Sequence, residues 1–417
     1  MNSFYDSVCE RFIRYASIDT QSSDNTADVP STKKQFDLAY MLRDEMIELG
    51  ISDVFLDEDK CVLYGVIPSN SEKGVSIGYV AHMDTAPGTP GGPVKPFIVR
   101  NYDGGDILLN HDQNIWMRRK EFPNLGMYIG DDLILSDGTT LLGGDDKASI
   151  ASIMTMAEYY ISNPDILHST IAIAFTPDEE VGGLARDLDL NRFASPIAYT
   201  LDGDHLGYYE YETFNACSAT VTIKGITVHP GTAKGIMVNS IDIANELLSS
   251  LPKYEKPQYT DGREGFFHVM SISGSCEYTE IHLIIRDHDS IQFDNRKHYL
   301  EIITEELNRI YGIGTVNLSL HEQYRSMKEI IDTVPYMIDN LKTAISDCGI
   351  EPVCIPFRGG TDGSALSHRG LPCPNLSAGY ENAHSRFEYV PIRNMERNVD
   401  ILIRLNEIYH DMDLSQA

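Results

Sequence analysis

No apolar run approaches the roughly 18 residues needed to cross a membrane, so the chain carries no membrane-spanning helix signal. Cys-x-x-Cys pairs are absent too. The seven cysteines (Cys9, Cys61, Cys217, Cys276, Cys348, Cys354, Cys373) are odd in number and scattered. That scatter argues against a disulfide framework and a thiolate zinc site, and it fits reduced thiols in a cytosol. Basic charge is scarce: 33 Lys and Arg stand against 62 Asp and Glu, for a formal net charge of −29. Such a surface repels phosphate backbones, which argues against nucleic acid as a partner. The N-terminal stretch Met1 to Glu10 lacks the basic start and apolar core of a signal peptide, giving a cytoplasmic expectation. No internal repeat or low-complexity linker interrupts the 417 residues, which suffice for two or three domains.

What is present alternates between two grammars. Residues 75–82, 170–175 and 197–202 are near-continuous apolar runs, the pattern of strands covered on both faces. Between them, 31–49 and 146–160 have helical periodicity, so the expected first domain is α/β with a mostly parallel sheet flanked by helices. From about residue 212 the order becomes strand (217–224), helix (239–251), two strands (266–272, 280–286), helix (295–311) and strand (314–321). This describes an α+β sandwich inserted in the first domain. The expected boundaries are 1–211, 212–325 for the insertion, and 326–417 for the return.

Chemistry gathers at the strand ends. The run Thr170 to Phe175 feeds straight into Thr176-Pro177-Asp178-Glu179-Glu180-Val181-Gly182. Two adjacent glutamates beyond a buried strand repel each other and lose hydration. A metal site with one Glu as ligand and its neighbour as proton carrier resolves both costs; an acidic, solvated helix start is the competing reading. Further polar motifs stand at Ala81-His82-Met83-Asp84-Thr85, Leu142-Gly143-Gly144-Asp145-Asp146-Lys147-Ala148, Leu201-Asp202-Gly203 and Glu381-Asn382-Ala383-His384-Ser385. In open parallel sheets, ligands bind beyond the carboxyl ends of strands. None of these motifs offers Cys, so the implied metals are ions held by nitrogen and oxygen.

The strings at 176–182, 137–143 with Asp145-Asp146-Lys147, 228–235 (Val-His-Pro-Gly-Thr-Ala-Lys-Gly) and 358–363 (Arg-Gly-Gly-Thr-Asp-Gly) resemble the M20 family of dinuclear zinc peptidases and amidohydrolases. The resemblance spans essentially the whole chain, and the last two strings favour its tripeptide aminopeptidase branch. It implies two Zn²⁺ per subunit, with Co²⁺ or Mn²⁺ as possible substitutes. His82 and Asp202 would hold one metal, Glu180 and His384 the other, and Asp145 would bridge. Glu179 would be the general base, and Asp84 would hydrogen-bond the far nitrogen of His82, the usual support of a metal-bound imidazole. His229 resembles a lid histidine that reaches a partner's site in the family's dimers. Arg286 and Arg358, with Asn295 as a lesser candidate, resemble groups that hold a substrate carboxylate. The inserted domain would act as lid and dimerisation unit of a homodimer acting on small peptides. Six other histidines (His111, His168, His205, His282, His288, His321) have no motif around them and read as surface or satisfied core. Gly207 to Tyr211 reads as a strand and hinge.

Gly144, Ser149, Gly183-Leu184-Ala185 and Asp204-His205 depart from the family's commoner residues, which bears on substrate preference. An amidohydrolase or dipeptidase cleaving another small amide is the alternative activity. A catalytically silent metal- or peptide-binding dimer is a further one, disfavoured by the presence of both Asp84 and Glu179.

Overall fold

The computed structural model describes residues 3–183 and 185–412. Leu184, within the departing 183–185 segment, lies outside the described residues. The chain divides into two compact units. One comprises Met1–Tyr211, Glu329–Ile355 and Thr361–Ala417; the other comprises Glu212–Lys328 with Pro356–Gly360.

An eight-stranded sheet runs in the order Ser52–Asp57, Val62–Ile67, Ile171–Thr176, Ile77–His82, Ala198–Gly203, Asn375–Ser377, Tyr208–Thr213, Val353–Phe357. Its four central strands, from Ile171–Thr176 to Asn375–Ser377, pair in parallel. Antiparallel pairing is found outside them. The runs expected at 75–82, 170–175 and 197–202 are thus strands shifted by one or two residues. Strands Ile77–His82 and Ile171–Thr176 are buried at every position. Continuous apolarity follows from cover on both faces. On one face Val80, Ala172, Ala174 and Ala198 pack against Leu188, Phe193, Leu366 and Leu371. On the other, Tyr199 Oη donates to Met337 O (2.8 Å) and meets Tyr409 Oη at 2.8 Å. Tyr79 Oη donates to Leu402 O. Those tyrosines belong to the sheet, and their partners to helices Tyr336–Asp347 and Ile392–Asp411.

The helix expected over 146–160 runs from Gly144 to Ser162, but Asp145 and Asp146 have non-helical backbone angles, so regular turns begin near Lys147. Asp145 therefore sits before the helix rather than in its first turn. The long interval between His82 and Asp145 holds a hairpin, Ile107–Asn110 with Ile115–Met117, and two strands, Phe97–Val99 and Leu133–Leu135, of a small sheet that the C-terminal strand Tyr389–Pro391 completes.

The second unit is an antiparallel sheet in the order Phe266–Gly274, Tyr278–Asp287, Asn215–Lys224, Val316–Tyr324. Alternation along the middle strands buries Cys217, Ala219, Val221 and Ile223 beside Ile281, Leu283 and Ile285. Helices Ser240–Ser250 and Ser290–Tyr311 cover this face through Ile243, Leu247, Phe293, Leu300 and Leu307. Asn239 and Asp289 cap their first turns by accepting backbone N–H groups.

Gly78 lies in the central strand, where an added Cβ would stand 2.3 Å from Cζ of the buried Phe193 ring. Gly78→Ala should cost about 1–3 kcal/mol through overpacking, read as a lower urea midpoint; an unchanged midpoint would show that Phe193 has room to yield.

Candidate metal centre

Three of the five proposed ligands follow from where parallel strands stop. His82 is the last residue of Ile77–His82, and Asp202 the penultimate residue of Ala198–Gly203. Strand Ile171–Thr176 leads to Asp178 in a left-handed conformation (φ 61°), which turns the chain so that Glu179–Val181 forms a short 3-10 turn. Asp178 is pinned by Ser31 N (2.7 Å), Ser31 Oγ (2.5 Å) and Gln35 Nε2 (2.7 Å), which fixes that turn. Asp145 follows left-handed Gly143, and His384 itself has φ 61° in the loop between two strands. A histidine in the left-handed region is strained, a state that persists only where surrounding contacts impose it.

The resulting geometry is centred on Asp145. Its Oδ1 is 3.0 Å from His82 Nε2 and its Oδ2 is 3.1 Å from His384 Nε2. His82 Nε2 also faces Asp202 Oδ1 at 3.4 Å, and His384 Nε2 faces Glu180 Oε2 at 2.9 Å. Two donor groups result, each sharing one oxygen of the same carboxylate. Ligand-type atoms of His82, Asp145 and Glu180 lie within 4.8 Å of one another, and so do those of His82, Glu179 and Asp202.

Charge explains why these groups need a cation. Burial, then the neighbouring Asp145, pushes the Glu180 carboxyl up to about 7. Burial raises Asp202 to about 6 and Asp362 to about 7. Glu179 and Asp146 are driven well above the ordinary carboxylate range, first by burial and then by nearby charges, among them Asp202. Asp145 goes the other way: bonds to His384 and His82 outweigh burial and hold it low. Asp145 and Glu180 lift His384 to about 11. So many carboxyls in one buried pocket repel unless positive charge enters. Glu180 Oε1 and Asp146 Oδ1 are buried without a hydrogen-bond partner among the described residues. The imidazole and carboxylate donors, with an orphaned buried oxygen among them, fit a divalent ion of the borderline class.

Several buried groups hold this arrangement from behind. Asp84 is fully buried and accepts Glu179 N (3.0 Å) and Glu180 N (3.2 Å), while its Oδ1 is 3.4 Å from His82 Nδ1. His82 Nδ1 is closer still to the Asp84 main-chain O, at 3.1 Å, so one residue, through its carbonyl and its carboxylate, ties the imidazole to the glutamate turn. Asn375 Oδ1 accepts Asp202 N at 2.9 Å, and its Nδ2 donates to the buried Glu210 at 2.8 Å. His205 Nδ1 pairs with Glu381 Oε1 at 2.5 Å, where Tyr128 Oη also donates. His205 is therefore a working contact between two ligand-bearing loops, and the departure at Asp204-His205 is structural rather than idle. Asp178 and Glu381 lie inside motifs already noted, though nothing local marks their supporting roles; Glu210 and Glu388 carry no motif signal in the sequence. A carboxylate inside the apolar run Phe387 to Val390 is the nearest thing to one.

The four remaining candidates lie in the second unit. His229 is exposed, with Nδ1 accepting Gly231 N at 3.1 Å. Arg286 donates to Cys217 O and Ile285 O and covers the Tyr324 ring. Arg358 donates to Gly262 O, Glu264 O and Thr260 Oγ1 and stacks over Phe214. Asn295 is exposed on helix Ser290–Tyr311. His288 differs from the surface or satisfied-core reading: both ring nitrogens are buried without a partner among the described residues, and burial pushes its pKa down to about 4.

Residues 211–315 match the family described as a peptidase dimerisation domain. A two-unit chain with this sheet, insertion and donor cluster defines a peptidase of the M20 type. The chain is 47% identical to peptidase T of Geobacillus kaustophilus over 96% of its own length and 98% of that protein. A tripeptidase of Staphylococcus aureus shares the fold with a TM-score of 0.77 at 21% identity, covering 98% of this chain and 99% of that one. A dinuclear metal-binding M20 peptidase of Bacillus subtilis shares it at 0.67 and 12% identity, over 98% and 99%. The chain belongs to the peptidase T family and is a hydrolase acting on peptides. No helix among the described residues is long and apolar enough to cross a membrane.

Burial lifts Glu210 to about 8. Its carboxyl therefore stays protonated in the fold after the unfolded chain has released its proton near the ordinary value of about 4.3. Stability on this account falls as pH rises from that value to about 8. Glu210→Gln should flatten the decline in urea-unfolding free energy between about pH 5 and pH 8; parallel curves for the two proteins would contradict it.

Proposed function

We propose that the chain is a dinuclear zinc aminopeptidase that removes the N-terminal residue of short peptides, chiefly tripeptides, as a cytoplasmic homodimer. The observation that carries this reading is the Asp145 carboxylate, with one oxygen toward each of two imidazoles. His82 and Asp202 would hold one ion, His384 and Glu180 the other, and Asp145 both. When bound, the metal supplies a Lewis acid that lowers the pKa of a water from 15.7 towards about 7.

Glu179 supplies the base. It shares a 4.8 Å group with His82 and Asp202, near enough to reach a water held there. Burial, with Asp202 beside it, makes the Glu179 carboxylate more basic than a solvated one, so it takes a proton readily. It accepts the proton of the attacking water and returns it to the nitrogen of the leaving amine. Asp84 orients the His82 imidazole and holds the Glu179-Glu180 turn by its backbone. In the second unit, His229 would stabilise the developing oxyanion from a partner subunit, and Arg286, Arg358 and Asn295 would receive the peptide's terminal carboxylate. The match of 211–315 to a dimerisation domain supports the homodimer, with the inserted unit (212–325) as lid and interface. Seven free thiols support a reducing compartment.

The test is a panel of tripeptides, dipeptides and N-acyl amino acids, with zinc, scored by release of a free N-terminal amino acid. Tripeptides should lead, and preferential cleavage of N-acyl amino acids would favour the amidohydrolase reading instead. Glu179→Ala should keep its metal and lose about 10²–10⁴-fold in kcat; near-parental turnover would remove Glu179 as the base. Chelation should abolish activity and added zinc restore it, measured on the same peptides.

A further inference from the structure

Glu388 stands four residues beyond His384, and it is 2% exposed. Its carboxylate accepts three backbone N–H groups: Oε2 those of Leu142 (3.0 Å) and Gly143 (2.7 Å), Oε1 that of Asp145 (2.9 Å). These three are the bonded partners of its carboxylate among the described residues. The segment they come from turns through left-handed Gly143 (φ 83°) and cannot satisfy those donors within itself. It also lies flush on the carboxylate. A Cβ on Gly144 would be 2.9 Å from Glu388 Oε1, 2.7 Å from Val390 Cγ2 and 3.1 Å from Tyr380 Cβ. The glycine at 144, one of the departures in the sequence, is thereby explained: this loop needs the space that an alanine would fill.

We propose that Glu388 is a positioning residue for the metal centre, setting Asp145 between the two imidazoles before any ion arrives. The inference rests on the metal-centre reading above. Two features separate this role from general support. The bond to Asp145 N fixes the backbone of the residue whose carboxylate faces both histidines. Glu388 also belongs to the same short segment as His384, so one carboxylate ties two ligand-bearing segments together, those whose side chains meet at 3.1 Å. Replacing the carboxylate by an amide sets an N–H₂ group against at least one backbone N–H. The loop then loses a bond and gains a repulsion at the Asp145 end.

Zinc binding by the metal-free full chain, read by calorimetric titration, tests this. Groups that orient metal ligands typically contribute about 10–100-fold in affinity, so Glu388→Gln should bind zinc that much more weakly. Its kcat should fall at limiting zinc with KM nearly unchanged, and recover as zinc is raised. Gly144→Ala, which keeps the carboxylate but presses on it, should move affinity in the same direction by less. Parental zinc affinity in Glu388→Gln, even with a lower unfolding midpoint, overturns the proposal and leaves Glu388 as ordinary packing. Should Glu388→Gln fail to fold, parental affinity in Gly144→Ala overturns it equally. A parent protein that binds no zinc overturns the metal-centre reading itself, and this proposal with it.

Discussion

Asp145 faces His82 with one carboxylate oxygen and His384 with the other, and the arrangement of the first unit serves that double contact. The two histidines come from places far apart in the chain, one from the end of a central strand and the other from a strained loop near the C-terminus. They meet because strands Ile77–His82, Ala198–Gly203 and Asn375–Ser377 run in parallel and release their loops at one end of the sheet. The faces of these strands are occupied by packing, so polar chemistry is confined to where they stop.

Concentrating acids there is costly, and the protein meets the cost by giving each carboxylate a job. Asp84 and Glu388 receive backbone N–H groups, Asp178 receives a serine and a glutamine, and Glu210 leans on an asparagine. These hydrogen bonds hold the loops in place, while at Glu210 burial outweighs the asparagine and keeps the carboxyl protonated to about pH 8. Asp145, Glu180 and Asp202 are the ones whose oxygens turn inward to the histidines, and burial raises the Glu180 and Asp202 carboxyls above their usual range. The centre is thus a cluster of imidazole and carboxylate donors whose chemistry fits a divalent cation, held in place by the surrounding network.

Much of this was legible in the sequence. Buried strands announce themselves as apolar runs, and the motifs at their ends locate His82, Glu179, Glu180 and Asp202 because strand ends are where a parallel sheet exposes side chains. The alternating strands of the second unit were equally readable, since burying one face imposes a period of two. Three-residue strands such as Leu133–Leu135 and Tyr389–Pro391 are too short to show a period, so the small sheet was not. Helix Gly144–Ser162 was found, but its irregular first turn was not, because Glu388 shapes it from more than 240 positions away, as the sequence separation to Asp145 of 243 shows. His205 and Glu381 likewise find each other only in three dimensions; Glu381 opens the 381–385 motif, but nothing local pairs it with His205.

The most direct measurement is the number of zinc ions bound per chain at equilibrium, by dialysis against buffered zinc and elemental analysis. A carboxylate shared between two donor groups predicts two per chain. Binding of none, or of a single ion at saturation, would contradict a dinuclear centre built on Asp145.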